Sequence, residues 1–112
     1  MTPFAVLFPL EIHLDRFHAI LNNNPEGPTI KAALDRLKSD PRPKDLHFEQ
    51  IPPVEEAQFL MNKFGFALKE ELPSLYLRAL ARCRIRAGSY WILYDVMDDL
   101  RIIWLFQVVK AT

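Results

Sequence analysis

Apolar residues recur along this chain with two periods, and the switch between them predicts its helices and strands. Phe4 to Phe8 is a short apolar run bounded by Pro3 and Pro9, the signature of a strand early in a sheet. Leu10, Leu14, Phe17 and Leu21 follow at spacings of four, three and four, which draws one stripe of an amphipathic helix. That helix should end in Asn22-Asn23-Asn24-Pro25, because asparagine favours turns and proline disfavours helix in the residue before it. Thr29 can cap a second helix with Ile30, Ala33, Leu34 and Leu37 on its inner stripe and Lys31, Asp35 and Lys38 outside. Asp40-Pro41-Arg42-Pro43 stops it, so the two helices form a hairpin suited to pack on a sheet.

The middle of the chain, residues 40–78, has a less regular pattern and is expected to be an insertion or accessory segment. Pro52-Pro53 followed by Glu55 and Glu56 starts a helix, with proline early and carboxylates near the positive end of its dipole. Ala57, Leu60, Met61 and Phe64 supply its buried stripe, and Gly65 ends it. Beyond Leu80 the period changes to two. Arg82, Arg84 and Arg86 alternate with Cys83, Ile85 and Ala87, so the arginines share one side of a strand over Leu80 to Arg86. Ala87-Gly88-Ser89 is a turn, Tyr90 to Met97 is a second strand, Asp98-Asp99 turns again, and Arg101 to Val109 is a third. Links this short require antiparallel neighbours, which makes a three-stranded meander. The unbroken apolar run Ile102 to Phe106 predicts a strand covered on both faces, central or at an interface. The expected fold class is therefore α+β: an N-terminal strand, a helical hairpin, an extra helical segment and the meander.

Composition changes this picture little. A chain of 112 residues is most simply one domain, 1–112. Lysine plus arginine equals aspartate plus glutamate at 14 each, so any nucleic-acid surface must be a local basic patch. Cys83 is the single cysteine, which excludes an internal disulfide and fits a reducing compartment. No apolar run approaches the roughly 20 residues of a membrane span, and the start lacks the positive region of a secretory signal. A cytoplasmic protein without membrane contact is the expectation.

The string Arg84-Ile85-Arg86-Ala87-Gly88-Ser89-Tyr90-Trp91-Ile92-Leu93-Tyr94-Asp95-Val96 resembles a pattern of the RelE/ParE family of bacterial toxins: R-I-R-x-G-x-Y-R, two apolar residues, a tyrosine and an acidic turn. Asp98-Asp99, the apolar strand Ile102 to Val109 and Lys110 continue the likeness, which covers about 30 residues. The resemblance implies a RelE/ParE-like fold and the toxin role in a type II toxin–antitoxin system. RelE-type members cut mRNA on the ribosome without a metal, and ParE-type members inhibit DNA gyrase. It also implies a partner, a small antitoxin that wraps the sheet and helices in a hetero-oligomer, with the ribosome and mRNA as targets of an active nuclease; a homo-oligomer is the other possible assembly. No cofactor and no metal are implied. Carried over by position, Arg82, Arg84 and Arg86 would hold RNA phosphates and stabilise charge on the transferring phosphoryl group, with Lys110 as the basic residue at the end of the last strand. Trp91 stands where nuclease members carry arginine, and Ala111 and Thr112 follow Lys110 in place of a second basic residue or a terminal helix. The alternative is a catalytically inactive binding module on the same scaffold, or a gyrase inhibitor.

Simpler roles compete with these. The three arginines equally suit a solvated face, or ion pairs with carboxylates of the helices. Lys110 and Arg101 suit ordinary surface positions. Trp91, Tyr94, Trp104 and Phe106 could stack bases, but core packing or a protein interface is the more usual use of such residues. His13 and His18, five apart, do not share a helix face, so no metal site is expected from them or from His47. Cys83 has the apolar parity of its strand and suits a small buried filler better than a nucleophile.

Overall fold

A computed structural model describes residues 3–8, 11–51, 59, 62, 63 and 80–111. Strand β1 (Ala5–Leu7) leads into helix α1 (Glu11–Asn23) and helix α2 (Gly27–Ser39). A single-turn 3₁₀ helix at Lys44–Leu46 precedes the two-residue strand β2 (Glu49–Gln50), and β3 (Cys83–Ala87), β4 (Tyr90–Met97) and β5 (Ile102–Lys110) close the chain's sheet. The class is α+β, and the described residues form two long helices on a five-stranded mixed sheet of order β1-β5-β4-β3-β2.

The sheet corrects the four-stranded expectation. β1 lies parallel to β5, and the three C-terminal strands pair antiparallel in chain order. The additional strand is β2, which pairs Glu49 with Arg84 and Gln50 with Cys83. It falls inside the segment expected to be an insertion, and two polar residues leave no alternation to detect. Of the helix expected between Pro52 and Phe64, only Phe59, Asn62 and Lys63 lie within the described residues, and all three are helical. The strand expected from Leu80 begins at Cys83 instead, and β5 starts at Ile102 because Arg101 closes the turn in the left-handed region, φ 52°.

Why α2 forms is plain from its sequence. Pro28 sits in its first turn, where a missing N–H costs nothing, and Arg36 and Lys38 lie in its last turn near the negative end of the dipole. Its cap differs from expectation: the helix begins at Gly27 after Glu26, and Thr29 lies inside the first turn without a side-chain capping bond. Ile30, Ala33, Leu34 and Leu37 are buried, as their spacing requires. They meet Phe17 of α1 and the inner side chains Phe4, Cys83, Ile85, Ala87, Ile92, Tyr94, Ile103 and Leu105, which together make the main core. Phe8 and Phe17 close one end with ring centroids 5.2 Å apart. At the other side, the Phe4 N–H donates to the Lys38 carbonyl at 2.8 Å, tying β1 to the end of α2.

β5 is the interior strand that its apolar run predicted. It lies between β1 and β4, Ile103 and Leu105 face the helices, and Phe106 is buried on the opposite side in a second, smaller cluster with Ala81 and Leu93. Its pairing with β4 slips at Leu93 and Tyr94, where β5 carries one extra residue opposite them. Among the described residues, no helix is long and apolar enough to cross a membrane.

Candidate functional site

Alternation along β3 divides its side chains cleanly. Cys83, Ile85 and Ala87 enter the core under the helices, so Arg84 and Arg86 must project from the other face of the sheet. Trp91 stands opposite Arg86 on β4 and diagonal to Arg84. Its indole is bracketed by both guanidinium groups, with the Arg84 Cζ 4.2 Å and the Arg86 Cζ 5.3 Å from its ring. Each such contact adds about 0.5–1 kcal/mol where water still reaches the cation.

Beyond this shared bed the arginines differ. The Arg84 Nε–H donates to Glu49 Oε2 at 2.8 Å, and one Nη of the same guanidinium donates to the same oxygen. Glu49 belongs to β2, directly across from Arg84, so the expected ion pair exists but its carboxylate comes from a strand rather than a helix. Arg86 Nε–H donates to the Gly88 carbonyl at 2.6 Å, and among the described residues no carboxylate pairs with it. Arg82 precedes the strand, and its Nη1 donates to the Ala81 carbonyl at 3.0 Å. The row is continued by Trp91 and then by Leu93, Trp104 and Phe106, whose cluster also takes in Ile51, Leu80 and Val109. Trp104 Nε1–H points at the Met97 sulfur, 2.9 Å away.

Lys110 does not join this row. Its register partner is Tyr90, and Tyr90 packs against the main core and accepts a hydrogen bond on its hydroxyl from Asn24 Nδ2 in the α1–α2 link. Lys110 therefore lies on the helix side of the sheet, across the backbone from the arginines. The cause is the extra residue in β5: parity along the strand shifts by one between Leu105 and Val108, both of which face the helices. The four aromatic residues considered for stacking also divide. Trp91, Trp104 and Phe106 lie on the arginine face, whereas Tyr94 is fully buried among the helices and its hydroxyl donates to the Pro41 carbonyl at 2.6 Å.

Cys83, weighed as a nucleophile, and the Tyr94 phenol both sit away from the arginines. Cys83 and Tyr94 are in the main core, and burial pushes the Cys83 thiol up to about 11, aided by the Asp95 carboxylate. Burial likewise pushes the Tyr94 phenol far above its usual range. The turn acid Asp98 is exposed and held below the usual carboxylate range chiefly by the Arg42 guanidinium, which donates to both of its oxygens at 3.2 and 2.9 Å. This pair straps the loop after α2 to the β4–β5 turn. Among the described residues, no group of three histidine, cysteine or carboxylate side chains converges on a metal position.

Chemically, the arginine face can bind anions and flat or apolar surfaces, and Glu49, the carboxylate beside its guanidinium groups, is already held by Arg84. Sequence reasoning located its arginines and missed Glu49, the residue that distinguishes one from another. Its only signal was an acid in a polar stretch before Pro52-Pro53. No family model, curated protein or solved structure matches this chain.

Proposed function

We propose that this chain is the toxin-type member of a toxin–antitoxin pair on a RelE/ParE-like scaffold, and that it acts by binding a protein partner through its arginine face. The family reading is supported by the order of strand, helical hairpin and three antiparallel C-terminal strands, and by the motif running from Arg84 through Val96. The binding reading is carried by one observation: Arg84 and Arg86 are spread over the Trp91 ring with Glu49 on one of them, while Lys110 lies on the other face. A phosphoryl-transfer site needs its cations converged on one group. A flat array of arginine and tryptophan side chains is the composition of a protein-interface hot spot.

Expression in a bacterial host tests this. Growth arrest is expected, relieved by a co-expressed acidic antitoxin and by Arg86→Glu, while ribosome-programmed mRNA stays intact with purified protein at high concentration. Cleavage of that mRNA, lost in Arg84→Ala, would instead establish the nuclease reading, which the shared strand face of Arg84 and Arg86 favours. A DNA-damage response in place of a translation block would identify gyrase as the target.

A further inference from the structure

β2 covers only part of β3. Glu49 and Gln50 pair with Arg84 and Cys83, and among the described residues no strand pairs with Ile85–Ala87 on that side. The reason is local: His47, in the left-handed region at φ 56°, ends the preceding single-turn helix, so the chain enters the line of β2 only at Glu49. The hairpin decides which backbone groups this edge presents. A two-residue Gly88-Ser89 link makes Ala87 and Tyr90 the closing hydrogen-bonded pair. The N–H and C=O of Ala87 and Ile85 thus turn toward β4, and those of Arg84 and Arg86 turn toward the edge. Glu49 takes the edge at Arg84. Among the described residues, the edge at Arg86 has no strand on it.

The side chains repeat the contrast. On the arginine face, Glu49 lies opposite Arg84 and sets its carboxylate on that guanidinium. Arg86 rests on the same indole as Arg84, yet no carboxylate among the described residues reaches it. A groove opens beside it between α2 and the β3–β4 turn, with Thr29, Ala32, Arg36, Leu46 and Gly88 on its walls. The small Thr29, Ala32 and Gly88 among them give room for a backbone. The nearby acids are already engaged: Glu26 accepts the Ser89 N–H at 2.8 Å, and Asp45 accepts a hydrogen bond from Arg36 at 2.9 Å.

We propose that the β3 edge at Arg86 docks an extended acidic segment of a partner protein, which continues the line of β2 and sets a carboxylate on Arg86 as Glu49 does on Arg84. The Glu49–Arg84 pair is the internal template, since an antiparallel strand places its residue opposite Arg86 two positions along from Glu49 and on the same face. The surplus charge is positive and the open backbone pair is strand-like, so the complementary occupant is a carboxylate on an extended chain. This inference deepens the partner-binding reading above and rests on it.

The test uses the full chain and a capped pentapeptide of alternating threonine and valine with one central glutamate, followed by amide chemical shifts. Saturable shifts at Arg86 and Gly88 are expected, with affinity falling about threefold to fivefold when glutamine replaces the glutamate. Arg86→Glu should abolish binding of the glutamate peptide and restore it for a lysine peptide, which guards against a variant that merely unfolds. Methylating a backbone nitrogen of the peptide on the pairing side should also remove the shifts. Equal binding of the glutamine peptide, shifts confined to other strands, or displacement by a short single-stranded RNA would overturn the proposal. Should the peptide fail while growth arrest and its relief by an antitoxin persist, this edge is not the dock and the partner-binding reading stands. Peptide binding at Arg86 by a chain that causes no arrest would sink the toxin reading and leave the dock.

Discussion

The two faces of one sheet are built by different rules. Under the helices, Ile85, Ile92, Tyr94, Ile103 and Leu105 are almost wholly removed from water, and the polar atom buried among them, the Tyr94 hydroxyl, is matched to the Pro41 carbonyl. On the arginine face the side chains are larger and more polar. They are held by an ion pair and cation–π contacts that keep part of each group in solvent. The first face supplies cohesion, because hydrophobic burial is strong and undirected. The second supplies pattern, because its contacts are individually weak and depend on which residue stands opposite which. A surface of that kind can exchange its partners.

Substitutions can break this contrast, beginning on the core side. Ile103→Ala should cost about 2–5 kcal/mol by urea denaturation, whereas Trp104→Ala on the adjacent position, half-exposed on the other face, should cost less in spite of its larger ring. If Trp104→Ala proves as destabilising as Ile103→Ala, the two faces are equal in cohesion and the contrast fails. Tyr94→Phe keeps the ring and strands the Pro41 carbonyl, with an expected loss of about 1–2 kcal/mol. Gly88→Ala should cost about 1 kcal/mol, since φ is +60° there and an added Cβ would press into the Glu26 carboxylate that holds the Ser89 N–H. Arg84→Ala or Glu49→Ala should change stability by less than about 1 kcal/mol, and the coupling between them in a double-mutant cycle should shrink as salt is added.

Cys83 sharpens the contrast by pH. Its thiol is raised in the folded state to about 11 by burial, so the folded chain keeps this proton longer than the unfolded chain does. Its contribution to stability is complete below the ordinary thiol value of 9.0 and declines as pH rises from there through about 11. Alkylation by iodoacetamide at pH 8 should accordingly be slow in native protein and fast in urea. Rapid native alkylation would mean that the thiol is reached from solvent. For Asp98 the sign is opposite: Arg42 lowers it, so the strap between them is kept above the ordinary carboxylate range and lost as pH falls through the depressed value.

The contrast was half legible in the sequence. Period-two alternation from Arg82 to Ala87 separated the two faces of β3 because strand geometry fixes parity. Heptad-like spacing gave the inner stripe of α2 for the same kind of reason, and the unbroken run at Ile102 gave an interior strand. Where local pattern ends, so did the reading. Glu49–Gln50 is a strand only because β3 is beside it, and two residues carry no period of their own. The start of α2 was misplaced by three residues because Gly27 and Pro28 could begin the turn without a side-chain cap. The grouping of Lys110 with Arg82, Arg84 and Arg86 came from the family likeness, and the register separates them across the sheet.

That separation depends on a single surplus residue in β5, opposite Leu93 and Tyr94. An extra residue in a strand works as a crossover switch, exchanging inside for outside for everything downstream while the chain's path hardly changes. Were Phe106 instead paired with Leu93 in strict alternation, Val108 and Lys110 would pass through the sheet together. The fourth cation would then arrive beside the arginines, and Val108 would leave the core it now fills. Whether this face reads as an interface or as a denser anion trap is thus set by whether one residue of β5 is paired or left out of the ladder, with no change in which basic side chains the chain contains.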